Sequence, residues 1–155
     1  MNGINTRVMS RKEAFQYCNG THNEEAAIIS ISTPYIDYEY SVYQSESNRV
    51  IDILNLCFFD ADEPDSFDIN DVYAREMDLL CDKDAVRIAE FAERHKNVLL
   101  IVHCDAGISR SSAVAAAILR HYTGNDDIIF NDYLSFDPNM WVYFKVVKTF
   151  GDIVI

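Results

Sequence analysis

A cysteine and an arginine stand close together where the sequence predicts a loop between a strand and a helix. Five residues separate Cys104 from Arg110, and the apolar run 98–102 precedes them. The backbone N–H groups of such a loop turn inward, and with the positive end of the following helix dipole they can hold a phosphate. A thiol at the bottom of this loop, with a guanidinium at its far end, suits attack on a phosphorus atom.

Each residue type in the loop has a chemical reason to be there. The helix N-terminus and Arg110 favour the thiolate form of Cys104, which is the nucleophilic form. Arg110 can offer its planar fork to two phosphate oxygens and hold them more tightly in the transition state, which lysine could not do. Gly107 allows a tight turn with positive φ, and the Ser111 hydroxyl can donate to the thiolate when it leaves. The predicted phosphate-binding residues are Asp105, Ala106, Gly107, Ile108, Ser109 and Arg110.

Two further residues of this segment receive separate predictions. We expect His103 to support the loop through hydrogen bonds rather than to act as an acid or a base. We expect the side chain of Asp105 to face outward, because a carboxylate directed at a bound phosphate would oppose its binding.

The elements that must position this loop alternate along the chain. Predicted strands cover 26–32, 50–59 and 98–102, and predicted helices cover 10–18, 84–95, 111–122, 126–135 and 138–150. The first helix follows a capping-box sequence at Ser10 to Glu13, and Asp82 or Asp84 is expected to cap the second. The run 98–102 does not alternate, which is typical of a central parallel strand covered on both faces. The order predicts one α/β domain over 1–155, with a central, mostly parallel sheet of about four or five strands flanked by helices.

Composition limits the partners that this chain can have. The formal net charge is −12, which argues against surfaces that bind nucleic acid or anionic membranes. Any phosphate site must therefore be a local positive pocket. The sequence has neither a run of about 20 apolar residues, as a membrane span needs, nor a signal-peptide core at its start, so we expect a cytoplasmic protein.

The four cysteines form no Cys-x-x-Cys pair, so their spacing indicates neither a zinc site nor a redox dithiol. We expect reduced thiols, although the even count leaves two disulfides open. Cys57 and Cys81 are expected in the core.

The segment His103 to Ser111 fits the pattern His-Cys-x-x-Gly-x-x-Arg-Ser. It resembles the signature of the cysteine-dependent protein tyrosine phosphatase superfamily, and in particular the loop of the dual-specificity phosphatases that act on MAP kinases, except that Asp105 stands where Gln is common. The pair Pro138-Asn139 before the last predicted helix is similar too. The resemblance implies a metal-independent phosphomonoester hydrolase that forms a phosphocysteine and needs no cofactor. Its substrate would be a phosphorylated protein, with phosphotyrosine first and phosphoserine or phosphothreonine next, or a small phosphomonoester.

The resemblance also implies a general acid on a loop ahead of the signature. Asp60 is our choice because it directly follows the predicted strand 50–59, and Asp62 is the alternative. The interval from Asp60 to Cys104 is longer than is usual in small dual-specificity enzymes, which requires an insertion. Asp65, Asp68 and Asp71 therefore stay open.

Two other functions remain open at this point. A phosphoinositide or RNA 5′-phosphatase on the same fold is less favoured, because no lysine lies between Cys104 and Arg110 and the chain is acidic overall. A pseudophosphatase would bind phosphorylated sites without turnover. The intact Cys104 and Arg110 argue against it, while the choice among several acids leaves it open.

Overall fold

The apolar segments of the chain form a sheet of parallel strands. In a computed structural model, which describes residues 3–61 and 78–152, the strands are β1 (Asn5–Ser10), β2 (Ala26–Ser32), β3 (Val50–Cys57) and β4 (Leu99–Cys104). The described strands pair in the order β1-β4-β2-β3, and every pairing is parallel. The predicted α/β class with a parallel sheet is therefore confirmed, and β4 is one of its two inner strands.

Helices cover both faces of this sheet. The described helices are α1 (Arg11–Asn19), α2 (Asp82–Arg94), α3 (Arg110–Thr123), α4 (Asp127–Phe130) and α5 (Met140–Thr149). Helix α1 packs on one face against Ile28 and Ile101. Helices α2, α3 and α5 pack on the other face against Ile29 and Val102. Successive side chains of a strand point to opposite faces. Because helices cover both faces, every residue of β4 is buried, which explains why the apolar residues of this strand do not alternate with polar ones.

Helix α3 is the helix that the sequence places after the loop. Its residues from Arg110 to Ile118 are all buried, as expected for a central helix made of small and aliphatic side chains. Gly124 ends it in a left-handed conformation, with φ of 76°, and donates its N–H to the carbonyl of Arg120. The predicted loop between a central strand and a buried helix is thus present.

Several predicted boundaries were wrong. Strand β1 was not predicted. It lies at the edge of the sheet, and five of its six residues are exposed or only partly buried, which leaves a weak hydrophobic pattern. Helix α4 is a single turn instead of 126–135, and turn bonds such as Ser135 N–H to Asp132 O follow it. Helix α5 starts at Met140 instead of 138, and Asn139 is its N-cap. The N-cap of α2 is Cys81, and not Asp82 or Asp84 as expected.

No two cysteines are paired in a disulfide, but two of the four were expected in the wrong place by the sequence analysis. All four are free, with Cys18 and Cys104 buried and Cys57 and Cys81 exposed rather than in the core. Both exposed cysteines lie at ends of elements, where a strand or helix leaves the core. In the part of the chain that the structure describes, no helix is long and apolar enough to cross a membrane.

Part of the acidic segment falls outside the described residues. The segment 62–77, which is not described, holds the candidate acids Asp62, Asp65, Asp68 and Asp71. Of the candidate acids, Asp60 alone lies among the residues that the structure describes.

Candidate active site

The thiol of Cys104 lies at the bottom of the loop that joins β4 to α3. Cys104 is buried, with 2 % of its surface exposed. The Gly107 N–H donates to the sulfur at 3.3 Å, and the Ser111 hydroxyl lies 3.1 Å from it. Donors of this kind stabilise a negatively charged sulfur. Ser111 stands in the first turn of α3, so the element that supplies the helix dipole also supplies this hydroxyl.

Glycine is required at position 107 by the packing beneath the loop. Gly107 has φ of 73°, and a Cβ atom there would lie 2.6 Å from the backbone nitrogen of Ser10. The close approach arises because Ser10, the last residue of β1, pairs in register with Cys104. The Arg11 N–H then donates to the carbonyl of Asp105 at 3.2 Å. The unpredicted strand β1 thus forms the floor against which the loop turns.

His103 is fully buried and bonded on both ring nitrogens. Its Nδ1 lies 3.1 Å from the Cys104 carbonyl, which can only accept, so Nδ1 carries the proton. Its Nε2 lies 2.6 Å from the Ser30 hydroxyl, which donates to it in the neutral ring. Burial lowers the pKa of His103 to about 4. His103 is therefore a neutral residue that ties the start of the loop to β2.

Arg110 is buried and held at the carboxyl ends of two strands. Its Nη1 donates to the carbonyl of Phe58 at 2.7 Å and to that of Ser32 at 3.3 Å. Its Nη2 donates to Oδ2 of Asp105 at 3.2 Å. Its Nε is buried without a hydrogen-bond acceptor among the described residues. Because Nη1 is occupied by carbonyls, the edge formed by Nε and Nη2 is the one that can bind an oxyanion.

The carboxylate of Asp105 does not face outward, so that prediction was wrong. It accepts hydrogen bonds from the hydroxyls of Thr33 and Tyr38, both at 2.7 Å, besides the bond from Arg110. Oδ1 also lies 3.6 Å from Nε of Arg11. Burial raises the pKa of Asp105, but the two hydroxyl bonds and the two guanidinium groups outweigh burial and lower it. Two cations beside the carboxylate make the inward position favourable.

Arg11 is a residue of this site that the sequence analysis missed. It is 8 % exposed, and its guanidinium stacks over the ring of Tyr38 at 3.6 Å. Its Nη2 donates to the Ser32 hydroxyl at 2.6 Å, and its Nη1 donates to the carbonyl of Tyr40 at 3.1 Å. Its Nε has no hydrogen-bond partner among the described residues. No local pattern marks Arg11, because its partners lie more than twenty residues away.

Asp60 lies beside the loop and is bonded to it. Its Oδ1 accepts from the Ser109 hydroxyl at 2.8 Å and from Nδ2 of Asn139 at 2.9 Å. Asn139 also caps α5, since its Oδ1 accepts from the N–H of Val142 at 3.1 Å. The backbone N–H of Asn139 donates to the Ser109 carbonyl at 3.0 Å. The structure therefore brings together the predicted residues Cys104, Arg110, Ser111 and Asp60.

The fold of the chain has close counterparts among solved structures. A variant of human DUSP28 superposes with a TM-score of 0.58 at 16 % identity, over 97 % of this chain and 95 % of that one. The human tyrosine phosphatase-like serine/threonine/tyrosine-interacting protein gives 0.57 at 18 %, over 92 % and 89 %. PTPMT1 in complex with PI(5)P gives 0.55 at 12 %, over 95 % and 90 %. The chain has the dual-specificity phosphatase fold.

At these identities the likeness is one of fold. No protein-family model matches the sequence, and no curated protein is significantly similar to it. Within the phosphatase fold, the segment that resembles the family signature is the one that joins β4 to α3. Among the described residues, no group of three or more His, Cys, Asp and Glu side chains is placed to hold a metal ion.

Proposed function

We propose that the protein is a metal-independent phosphomonoester hydrolase with Cys104 as its nucleophile. The observation that carries this proposal is the combination of two buried groups at one loop. The sulfur of Cys104 has the Gly107 N–H and the Ser111 hydroxyl as neighbours. The Arg110 guanidinium keeps its Nε without an acceptor among the described residues. A buried N–H group without an acceptor is costly, and a phosphate oxygen would satisfy it.

The first step transfers the phosphoryl group to sulfur. The thiolate of Cys104 attacks phosphorus in line with the leaving oxygen, and the bond between phosphorus and that oxygen breaks. Arg110 stabilises the charge on the transferring group. Asp60 gives its proton to the leaving alkoxide or phenoxide. The products of this step are an alcohol or phenol and a phosphocysteine.

The second step regenerates the thiolate. Asp60, now a carboxylate, takes a proton from a water molecule that attacks phosphorus, and the bond between phosphorus and sulfur breaks. The Ser111 hydroxyl donates a hydrogen bond to the departing sulfur. Inorganic phosphate leaves, and Asp60 is protonated for the next cycle.

Phosphorylated protein is the proposed substrate, with phosphotyrosine first. The loop carries no basic side chain between Cys104 and Arg110, and the net charge of −12 disfavours polyanionic lipids and RNA. Two peptides of one sequence, with phosphotyrosine or phosphoserine, separate the substrate classes by their kcat/KM. A clear preference for a phosphoinositide over both peptides would overturn this substrate assignment.

The test of the reaction uses an aryl phosphate with a good leaving group, in the presence of a metal chelator. Wild-type protein should turn it over, and Cys104→Ser should lower kcat by at least about 10⁴-fold. Cys81→Ser, which removes an exposed thiol at the start of α2, is the matched control and should keep kcat within about twofold of wild type. Activity of Cys104→Ser near that of wild type, or complete loss on chelation, would contradict the proposal. A folded wild-type protein that binds phosphate without turnover would be a pseudophosphatase.

A further inference from the structure

Asp105 places a negative charge beside the very arginine that is expected to bind phosphate. Its Oδ2 accepts from Nη2 of Arg110 at 3.2 Å, and Nη2 belongs to the edge that remains for an oxyanion. A phosphate that takes this edge would share Nη2, which carries two hydrogens, with the carboxylate of Asp105. Two negative groups that share one guanidinium also repel each other.

Arg11 is placed to receive the carboxylate when Arg110 turns to phosphate. Its Nε lies 3.6 Å from Oδ1 of Asp105, just beyond hydrogen-bond distance, and has no partner among the described residues. A small movement would bring these two atoms to about 2.9 Å, the usual length of an N–H to O bond. The Thr33 hydroxyl donates to Oδ2 and the Tyr38 hydroxyl donates to Oδ1, so both carboxylate oxygens would stay hydrogen-bonded throughout.

Arg11 itself is fixed by the rest of the structure. It is anchored on Ser32 and on the carbonyl of Tyr40, and it stacks on the ring of Tyr38. The only carboxylate that the described residues place within 4 Å of its guanidinium is Asp105. Arg11 can thus act as a second, stationary cation for this carboxylate.

We propose that Asp105 is a counter-ion that occupies Arg110 in the unliganded protein and passes to Arg11 when phosphate binds. In this role Arg11 is a positioning residue, which acts on phosphate through Asp105 and Arg110. The consequence is that Asp105 keeps Arg110 oriented in the empty site but weakens the binding of phosphate, including the product of the reaction. The inference rests on the proposed function, because it takes the Arg110 site to bind phosphate.

The first experiment measures binding of inorganic phosphate by calorimetry at about pH 8. Asp105→Asn keeps the shape of the side chain and removes its charge, and we expect phosphate to bind about tenfold more tightly. Asp105→Gln, which also removes the charge, is a second variant in case the first does not fold. Asp37→Asn, at an exposed carboxylate next to Tyr38 in sequence, is the matched control and should change the affinity by less than about twofold.

The second experiment is a double-mutant cycle that tests Arg11. Arg11→Met should weaken phosphate binding by about tenfold when Asp105 is present, because the carboxylate then stays on Arg110. In the Asp105→Asn background, the loss of phosphate affinity caused by Arg11→Met should be smaller by a factor of at least about three. A merely structural role for Arg11 would give the same loss in both backgrounds. Tyr38→Phe, which removes one hydroxyl donor to Asp105, is the milder variant for the same cycle.

The outcomes separate the inference from the function on which it rests. Tighter binding by Asp105→Asn, with a smaller loss for Arg11→Met in that background, supports the inference. Unchanged or weaker binding by folded Asp105→Asn and Asp105→Gln overturns it while the phosphate site stands. Equal losses in both backgrounds overturn the role of Arg11. Absence of phosphate binding in folded wild type and in both Asp105 variants overturns the phosphate site itself.

Discussion

Cys104 and Asp60 lie at the same end of the sheet, but different stretches of the chain hold them. The sulfur of Cys104 is bonded by Gly107 and Ser111, both within seven residues of it. The carboxylate of Asp60 is bonded by Ser109 and Asn139, which are 49 and 79 residues away. The nucleophile is thus surrounded by its own loop, whereas the acid depends on bonds between distant elements.

This difference predicts two kinds of mutational effect. A change in the loop alters the site for the phosphoryl group, which every substrate carries. Turnover of every substrate should therefore fall. A change around Asp60 alters only the delivery of a proton to the leaving oxygen. Its effect should therefore grow as the leaving group becomes poorer.

Arg110→Lys should have the largest effect among the changes that keep the thiol. Lysine keeps the charge but cannot form the fork that holds two phosphate oxygens. We expect kcat/KM to fall by about 10³-fold, by a similar factor for aryl phosphates with good and with poor leaving groups. Steady-state kinetics with both esters check this. A loss seen only with the poor leaving group would remove the distinction between the two regions.

Asp60→Asn should have the next largest effect, and a selective one. For an ester with a poor leaving group we expect kcat to fall by about 10²-fold, because the alkoxide leaves without a proton. For an ester with a good leaving group the change should stay within about threefold. Asp62→Asn, the alternative acid, is the matched variant. If Asp62→Asn reproduces this selectivity and Asp60→Asn does not, the assignment of the acid is wrong.

The sequence shows the loop region clearly because its chemistry is contiguous. Cys104, Gly107, Arg110 and Ser111 follow one another between a buried strand and a buried helix, so local patterns locate all four. The partners of Asp60 could not be found in this way. Ser109 and Asn139 were both named from the sequence for other reasons, but no local pattern indicates that either bonds to a carboxylate far along the chain.

The same reason explains the error at Asp105. A carboxylate beside a phosphate site is unfavourable by itself, and the sequence does not reveal that Arg11 and Tyr38 reach it from distant positions. Strand β1 was not predicted either, because most of its side chains are not buried and its sequence therefore has a weak hydrophobic pattern. What could not be predicted is the set of contacts between elements, which only the packed fold determines.

Asn139→Asp should have a smaller effect, which reaches the chemistry through Asp60. The new carboxylate can still cap α5, but it removes the amide donor to Asp60 and places a like charge beside it. We expect kcat to fall by about tenfold for the poor leaving group only. Asn131→Asp, at the end of the short helix α4, serves as the control and should leave both rates unchanged. An equal fall for both leaving groups would show that Asn139 supports the loop instead of the acid.

His103 provides a test that is measured by stability and not by activity. Its pKa is lowered to about 4 by burial, while the unfolded chain keeps a value near 6.5. The unfolded state therefore binds the proton first, and the free energy of unfolding should fall by about 3 kcal/mol as the pH drops from about 6.5 to about 4. Denaturant unfolding across this range measures the fall.

His103→Gln should lack this part of the acid destabilisation, whereas His121→Gln, at an exposed histidine, should keep it. Identical pH dependence of the wild type and His103→Gln would contradict a neutral, buried His103.

Cys104 is the residue proposed to carry the phosphoryl group between the two steps. Rapid acid quench of Ser111→Ala during turnover of an aryl phosphate, followed by mass spectrometry of its peptides, tests this directly. Loss of the hydroxyl that aids departure of the sulfur should slow the second step and let the intermediate accumulate. We predict one phosphate per chain, located on Cys104. Turnover with phosphate on another residue, or with no phosphorylated protein at any quench time, would show that Cys104 is not the nucleophile.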